Sequence, residues 1–307
     1  MTPPWLIVGT VPDESVGLLQ GPCALDRAGL VVDSARLPVW RGTPALLAAA
    51  CAACAVLGLE PPQALLAGDA GRGSGSRLAY DHLRGALPSL APRGLTFHYL
   101  FPDLAGHDQV LLAALVLPVR PLLVADAGFM YVAKMSGQAA EYDLFTPDAG
   151  ELAFLADETA PHPFYTRGFL LEAGVGSAEL IRRAWDTGGA AKHMLVKGGS
   201  DQVVRQGRIL TEIAGPQTPA MEAIGGTGDT LTGMITALLM SGRAIPEACA
   251  VAALANRLLG QLACPTPATP VAGLVEHVGE ALRLALARET EFLRGVMMPP
   301  GIRPEER

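Results

Sequence analysis

Short apolar runs alternate along the chain with longer stretches whose apolar residues recur every three to four positions, the patterning of strands and helices laid down in turn. Strands are predicted at Trp5–Gly9, Leu30–Val32, Ala64–Ala67, Leu95–Phe101, Leu122–Ala125, Tyr142–Phe145 and Met194–Lys197. Helices are predicted at about Thr43–Leu59, Ser76–Ala86, Asp108–Val116 and Asp148–Ala156, with three more from Asp229 onward. Val203–Leu210 reads as an edge hairpin. Runs such as Ala64-Leu65-Leu66-Ala67 and Leu122-Leu123-Val124-Ala125 show no polar alternation, as strands covered on both faces require. The expectation is an α/β protein with a mostly parallel central sheet between two layers of helices.

One helix start stands out. Leu231, Met234, Ile235, Leu238 and Leu239 recur at i, i+3, i+4, i+7 and i+8, an apolar stripe that begins just after Gly225-Gly226-Thr227-Gly228-Asp229. The first N–H groups of a helix lack intrahelical partners and the peptide dipoles add partial positive charge there, so an anion is favoured. Glycines let a phosphoryl group come close to the backbone. The same field favours a charged carboxylate, which makes Asp229 a candidate to accept a proton from a hydroxyl beside a bound phosphate. An N-cap Asp after a Gly turn is the simpler reading of the same residues.

Composition narrows what this turn can serve. The 307 residues are 50% hydrophobic with 5% aromatics, enough for one large α/β domain. We expect a single domain over 1–296, its first 62 residues divergent, followed by a charged, Pro-rich tail over 297–307. A net charge of −7 without a concentrated basic patch points away from nucleic acid and anionic membranes and towards small-molecule chemistry. Met1–Trp5 lacks the basic and apolar regions of a signal peptide, and the Ala/Leu-rich stretch from Pro44 to Leu59 is short for a membrane span, so a cytoplasmic protein is expected. Five cysteines leave one over in any full pairing, and Cys51-Ala52-Ala53-Cys54 reads as two small core residues on a helix.

Ligands of open α/β sheets bind beyond the carboxyl ends of the strands, and further candidates lie just after predicted strands. Asp69 and Gly71, in Gly68–Ser76, belong to a loop glycine-rich enough to cradle a ligand. Asp148 and Glu151 stand three apart at a helix start, the spacing of a magnesium-holding pair and equally of a capping box. Lys197-Gly198-Gly199 puts a lysine at a strand end. Asp126 comes after an apolar strand and either faces a substrate pocket or caps a helix. His98, Tyr99, Asp103, His107 and Asp108 cluster after another strand, as pocket-lining groups or as a surface loop. Pro161–Tyr165 breaks the regular pattern, and His162, Tyr165 and Arg167 there suit a phosphate clamp or a subunit contact.

In order along the chain, these segments resemble the ribokinase-like superfamily. Gly226-Thr227-Gly228-Asp229 matches its anion hole and catalytic Asp, and Asp148-Ala149-Gly150-Glu151 matches its N-x-x-E element with Asp for Asn. The nearest likeness is to the carbohydrate-kinase branch containing ADP- or ATP-dependent NAD(P)H-hydrate dehydratases. It rests on Phe145–Leu152, Leu195–Gly198 and Gly225–Gly233, and is good from about Leu122 to Ala263. That branch usually carries His-Pro where this chain has Asp148-Ala149, and Asp-Ala-Asp where it has Asp126-Ala127-Gly128.

The resemblance implies a ribokinase-like three-layer α/β/α sandwich and a set of roles. Asp229 would be the catalytic carboxylate, Gly226, Thr227 and Gly228 the anion hole, and Lys197, Gly198 and Asn256 the nucleotide contacts. Asp69, Gly71, Asp103 and Asp126 would face the substrate, while Asp148 and Glu151 would organise Mg2+. ATP or ADP and a small-molecule substrate are the expected ligands, and a homo-oligomer the expected assembly. Three activities use these parts: hydrate dehydratase, kinase of a small alcohol such as a sugar or vitamin precursor, and a nucleotide sensor without catalysis.

Overall fold

The computed structural model describes residues 3–26, 29–159 and 175–289. His162, Tyr165, Arg167 and the tail over 297–307 lie outside them. Eleven strands form one sheet in the order β11-β10-β9-β8-β7-β6-β1-β5-β2-β3-β4. Its middle is parallel: β5 (Gln63–Gly68), β1 (Trp5–Val11), β6 (Gly94–His98), β7 (Leu122–Asp126), β8 (Leu144–Phe145) and β9 (His193–Val196). Antiparallel strands extend both edges. On one side lie β2 (Leu18–Asp26), β3 (Gly29–Val32) and β4 (Ala35–Leu37), and on the other β10 (Asp201–Arg205) and β11 (Arg208–Ile213).

Helices cover both faces, each with its own apolar core. One layer holds α1 (Thr43–Leu57), α7 (Thr227–Met240), α8 (Ile245–Ala263), α9 (Val271–Val275) and α10 (Val278–Ala287). The other holds α2 (Ser74–Leu90), α3 (Leu104–Leu115), α4 (Gly128–Met135), α5 (Ala149–Ala156) and α6 (Ser177–Asp186). Fully buried strands such as Ala64–Ala67, with no exposed position between them, are what two covered faces demand.

The differences from the sequence expectation have local causes. The strand expected to run to Phe101 stops at His98, because Tyr99 takes a positive φ of 51° that cannot continue it. Strand β2 escapes periodicity because Gln20, Gly21 and Pro22 interrupt it, as an edge-side strand tolerates. Among the described residues four helices rather than three come after Gly226, since Val271–Val275 forms a helix of its own. Cys51 and Cys54 are core residues of α1, and burial pushes the Cys54 thiol up to about 12. No helix among the described residues is long and apolar enough to cross a membrane.

Helix α7 is buried all round from Asp229 to Met240, and its closest neighbour is α1. The two approach so tightly that a Cβ at Gly233 would overlap the Leu46 carbonyl oxygen of α1 and press on Ala49 and Ala50. Gly233→Ala should therefore lower stability by about 1–3 kcal/mol through overpacking against backbone that cannot yield. Urea unfolding tracked by circular dichroism measures this, and a midpoint equal to wild type would show that this spacing is not constrained.

Candidate active site

Six parallel strands present their carboxyl ends at one rim, and the polar residues of the site stand at or just beyond those ends: Asp69 after β5, His98 ending β6, Asp126 ending β7, Asp148 after β8 and Lys197 after β9. A cleft of about 720 Å³ opens there, walled by the Gly225–Asp229 turn, Asp126, Asp148–Glu151, Lys197–Gly199 and Asn256. Across Tyr99, which lines both, lies a second cavity of about 370 Å³ reached by Asp69, Gly71 and Tyr131.

Asp229 sits in the first turn of α7, 8% exposed, behind Gly226, whose φ of 106° suits glycine. Thr230 is bonded back to Gly226 O at 2.9 Å, so the turn's earlier N–H groups stand at the helix's open end. The Asp229 carboxylate has two polar partners. Gly42 N–H, at the start of α1, reaches Oδ2 at 2.5 Å, and His98 Nε2 lies 3.1 Å from Oδ1. The second ring nitrogen of His98, Nδ1, lies 3.0 Å from Thr43 Oγ1.

Strand register makes this row. Gly9 of β1, His98 of β6 and Asp126 of β7 are paired neighbours, and so share one face of the sheet. A Cβ on Gly9 would overlap the Thr43 side chain, which occupies the space beside His98. On α7, Asp229, Thr232 and Thr236 fall at i, i+3 and i+7 and meet this face. Thr232 Oγ1 donates to Asp126 Oδ2 at 2.6 Å, and Thr236 pairs with Thr96 at 3.1 Å.

Asp126 is buried and carries the central charge. Lys197 Nζ bonds Oδ1 at 2.9 Å, and the Ala127 N–H reaches the same oxygen at 2.8 Å. Burial pushes the Asp126 carboxyl up, but Lys197, His98 and the Thr232 bond together hold it below the usual range. Burial works against the Lys197 ammonium too, and Asp126, Glu151 and Asp229 outweigh it to hold that group charged. The ammonium lies against Gly228, 3.3 Å from where a Cβ would stand.

Asp148 and Glu151 form the reciprocal capping box of α5, with Asp148 Oδ1 accepting from Glu151 N and Glu151 Oε2 from Asp148 N, both at 2.8 Å. Each keeps a second carboxylate oxygen without a hydrogen bond among the described residues. Burial pushes the Glu151 carboxyl up to about 8, with Lys197 opposing and Asp126 and Asp148 adding to it. Asn256 Oδ1 accepts from Thr230 Oγ1 at 2.9 Å on the cleft wall, and Arg257 pins the Gly198 loop through Asp201 at 2.8 Å and Gly198 O at 3.0 Å.

Not every expected residue reaches the cleft. Asp69 and Gly71 line the second cavity, and Asp69 is engaged by its own loop: Oδ1 accepts from Gly71, Arg72 and Gly73, and Oδ2 from Ser76. Asp103 caps α3 through Gly106 N and lines neither cavity. Of the cluster after β6, His98 is no surface residue but fully buried, and His107 is buried against the Tyr142 hydroxyl at 2.9 Å. Sequence reasoning missed the pairing of His98 with Asp229, and also Gly42, Thr232 and Arg257. For Thr232 the readable signal was the Asp229, Thr232, Thr236 series at i, i+3 and i+7, which sets one polar line along the helix.

His98, Asp126 and Asp229 also offer three ligand atoms within 4.8 Å of one another, a set able to grip a metal ion. In this structure Lys197 neutralises Asp126, and Thr232, Gly42 and Thr43 take up further positions on the three side chains.

Comparison with known proteins places these residues in context. The profile of the carbohydrate-kinase family described as NAD(P)H-hydrate dehydratase matches residues 106–278, which carry Asp126, Asp148, Glu151, Lys197, Asp229 and Asn256. An uncharacterized protein of Methanocaldococcus jannaschii, MJ1337, is 37% identical over 220 residues, 71% of this chain and 90% of that protein. The ADP-dependent (S)-NAD(P)H-hydrate dehydratase of Cenarchaeum symbiosum is 31% identical over 186 residues, 59% of this chain and 60% of that protein. The fold is that of the ADP/ATP-dependent NAD(P)H-hydrate dehydratase of Bacillus subtilis, co-crystallised with ATP/Mg2+ and soaked with CoA, with a TM-score of 0.55, 15% identity, and coverage of 94% of this chain and 93% of that one.

The Asp126–Lys197 pair gives a pH test. In the wild type the Asp126 carboxyl is held low, so its contribution to stability is present above the unfolded value near ~4 and is lost as pH falls through the folded value. In Lys197→Met burial dominates and raises that carboxyl. The sign then reverses, with stability lost as pH rises from about 4 to 8 and a deficit of about 3–5 kcal/mol at neutral pH. Urea unfolding across that range should show it, with Lys197→Met/Asp126→Asn recovering much of the loss. A pH-independent deficit would rule out a charged, buried Asp126.

Proposed function

The chain belongs to the NAD(P)H-hydrate dehydratase family, and we propose that it uses ADP or ATP to restore hydrated NADH or NADPH to the reduced dinucleotide. The observation that carries this reading is Asp229, a carboxylate held by the Gly42 N–H and partnered by the His98 ring, at a helix start that lines an open cleft. As the substrate hydroxyl oxygen bonds to the terminal phosphorus of the nucleotide, Asp229 takes the hydroxyl proton and the shortened nucleotide leaves. The C–O bond to phosphate then breaks, the departing phosphate takes the proton from the neighbouring carbon, and the C–H electron pair returns the ring double bond. The N–H groups of the Gly226–Asp229 turn and the Lys197 ammonium neutralise charge on the transferring group. Asp126 keeps Lys197 in place, and the Gly198 loop with Asn256 forms the nucleotide side of the cleft.

Magnesium fits this donor set. The capping box leaves Asp148 and Glu151 one carboxylate oxygen each, and a cation there would favour the charged form of the Glu151 carboxyl that burial, chiefly, and the nearby Asp126 and Asp148 disfavour. Bound there, Mg2+ would supply charge neutralisation to the nucleotide phosphates. Glu151→Gln should raise the Mg2+ concentration needed for half-maximal rate about tenfold. Thermal melts across the same Mg2+ series separate this from loss of the cap, which lowers the melting temperature equally at every concentration.

Incubation with ADP or ATP, Mg2+ and hydrated NADH, monitoring the return of reduced-nicotinamide absorbance, tests the activity. Asp229→Asn should lower kcat by about 10²–10⁴-fold while leaving nucleotide affinity within a few-fold. No recovery of absorbance by the wild type with either nucleotide would move the assignment to a kinase of another small alcohol.

A further inference from the structure

We propose that His98 is a positioning residue for Asp229: its Nε2–H grips one carboxylate oxygen and fixes the direction in which the base meets the substrate hydroxyl. This rests on the reading of Asp229 as the base.

The partners of the ring decide where its proton sits. His98 is fully buried, with Thr43 Oγ1 3.0 Å from Nδ1 and Asp229 Oδ1 3.1 Å from Nε2. A hydroxyl can donate and a carboxylate oxygen cannot. With the ring proton on Nε2, Thr43 donates to Nδ1 and the ring donates to Asp229, so every group is satisfied. With the proton on Nδ1, a ring lone pair would face the Asp229 carboxylate at 3.1 Å and Asp126 Oδ2 at 3.9 Å, two acceptors opposed to an acceptor.

Asp126 does not compete for the Nε2–H. Its Oδ2 accepts from Thr232 at 2.6 Å, and its Oδ1 from Lys197 and Ala127. Nor is the ring free to turn. Tyr99 packs edge-on against it, with centroids 4.4 Å apart at 76°, and Gly9 lacks the side chain that would displace Thr43. With Gly42 N–H on Oδ2 at 2.5 Å, the Asp229 carboxylate is gripped from β6 and from α1 at once, so its rotation about the Cβ–Cγ bond is arrested. An arrested base spends no freedom on reaching the geometry of proton transfer.

The test compares His98→Gln, whose side-chain amide can place a donor where Nε2–H stood, with His98→Ala and Thr43→Val. His98→Ala should lower kcat about 10²-fold, the scale of one lost donor in a preorganised site, with the nucleotide KM within about threefold. His98→Gln should recover to within about tenfold of wild type. Ring 15N and 13C shifts of the wild type, assigned by loss of the signal in His98→Gln, should show the Nε2–H form, and Asp229→Asn should shift that resonance. Thr43→Val, which keeps its shape if His98→Ala fails to fold, should reduce the Nε2–H population and lower kcat about threefold or more.

An Nδ1–H ring in the wild type overturns the proposal. So does a His98→Ala kcat within threefold of wild type, equal losses in the Ala and Gln variants, or a Thr43→Val protein with both readouts unchanged. The ring proton is read without substrate. An Nε2–H ring in a wild type that restores no hydrate therefore counts against the activity and leaves the ring's grip on Asp229 standing.

Discussion

Two helix starts converge on one carboxylate, and the site depends on how closely those helices pack. Gly233 lets α7 sit against the Leu46 carbonyl of α1, and that spacing brings the Gly42 N–H at the start of α1 within 2.5 Å of Asp229 at the start of α7. The dipoles of both helices then point positive ends at the same group. Beneath them the parallel register aligns Gly9, His98 and Asp126 across three strands, so the sheet supplies the remaining partners. The rigid elements, rather than long loops, hold the reacting geometry.

Charge at this rim is uneven in a useful way. Asp126, Asp148, Glu151 and Asp229 line the cleft with Lys197 drawn into their midst, and Arg41 and Arg257 stand on the same walls. Lys197 is already paired to Asp126 at 2.9 Å, so a polyphosphate arriving beside Gly228 meets a lysine whose charge is partly spent. The Glu151 carboxyl is raised to about 8 mainly by burial, with Asp126 and Asp148 adding to it against the opposing Lys197. Under the proposed function, an arrangement of this sign favours a polyanion that arrives with its own cation, as a magnesium nucleotide would.

Much of this was legible in the chain and part was not. Fully apolar runs such as Ala64–Ala67 announced strands covered on both faces, and the Gly226-Thr227-Gly228-Asp229 turn announced a helix start open to an anion. Asp148 and Glu151 were readable as a pair, but their spacing serves a capping box and a metal alike, and the fold shows the capping box formed. Asp69 looked like a ligand contact because glycines surround it, yet those glycines turn their N–H groups onto its own carboxylate. His98 was hidden for a different reason. Its meaning lies in Asp229, 131 residues away, and in Gly42 and Thr43, which only strand register and helix packing bring together.

The same constellation suffices for a kinase and for a dehydratase, because the two share the phosphoryl transfer in which we propose Asp229 as the base. The fate of the phosphate ester, once formed, is set by its own chemistry rather than by further protein groups. An ester on a carbon next to a ring nitrogen can lose phosphate with help from that nitrogen's lone pair, whereas the ester of an ordinary alcohol cannot. No second acid is therefore required at the cleft for elimination, and the described residues need only admit the ring and keep water from the transferring phosphoryl group. The cavity beyond Tyr99 is lined by Leu100, Phe101, Pro102 and Tyr131 as well as Thr10, Asp69 and Ser76, and it shares Tyr99 with the cleft that Asp229 lines. Under the proposed function, a partly reduced, puckered ring with a hydrocarbon flank suits such walls better than a polyhydroxylated sugar does.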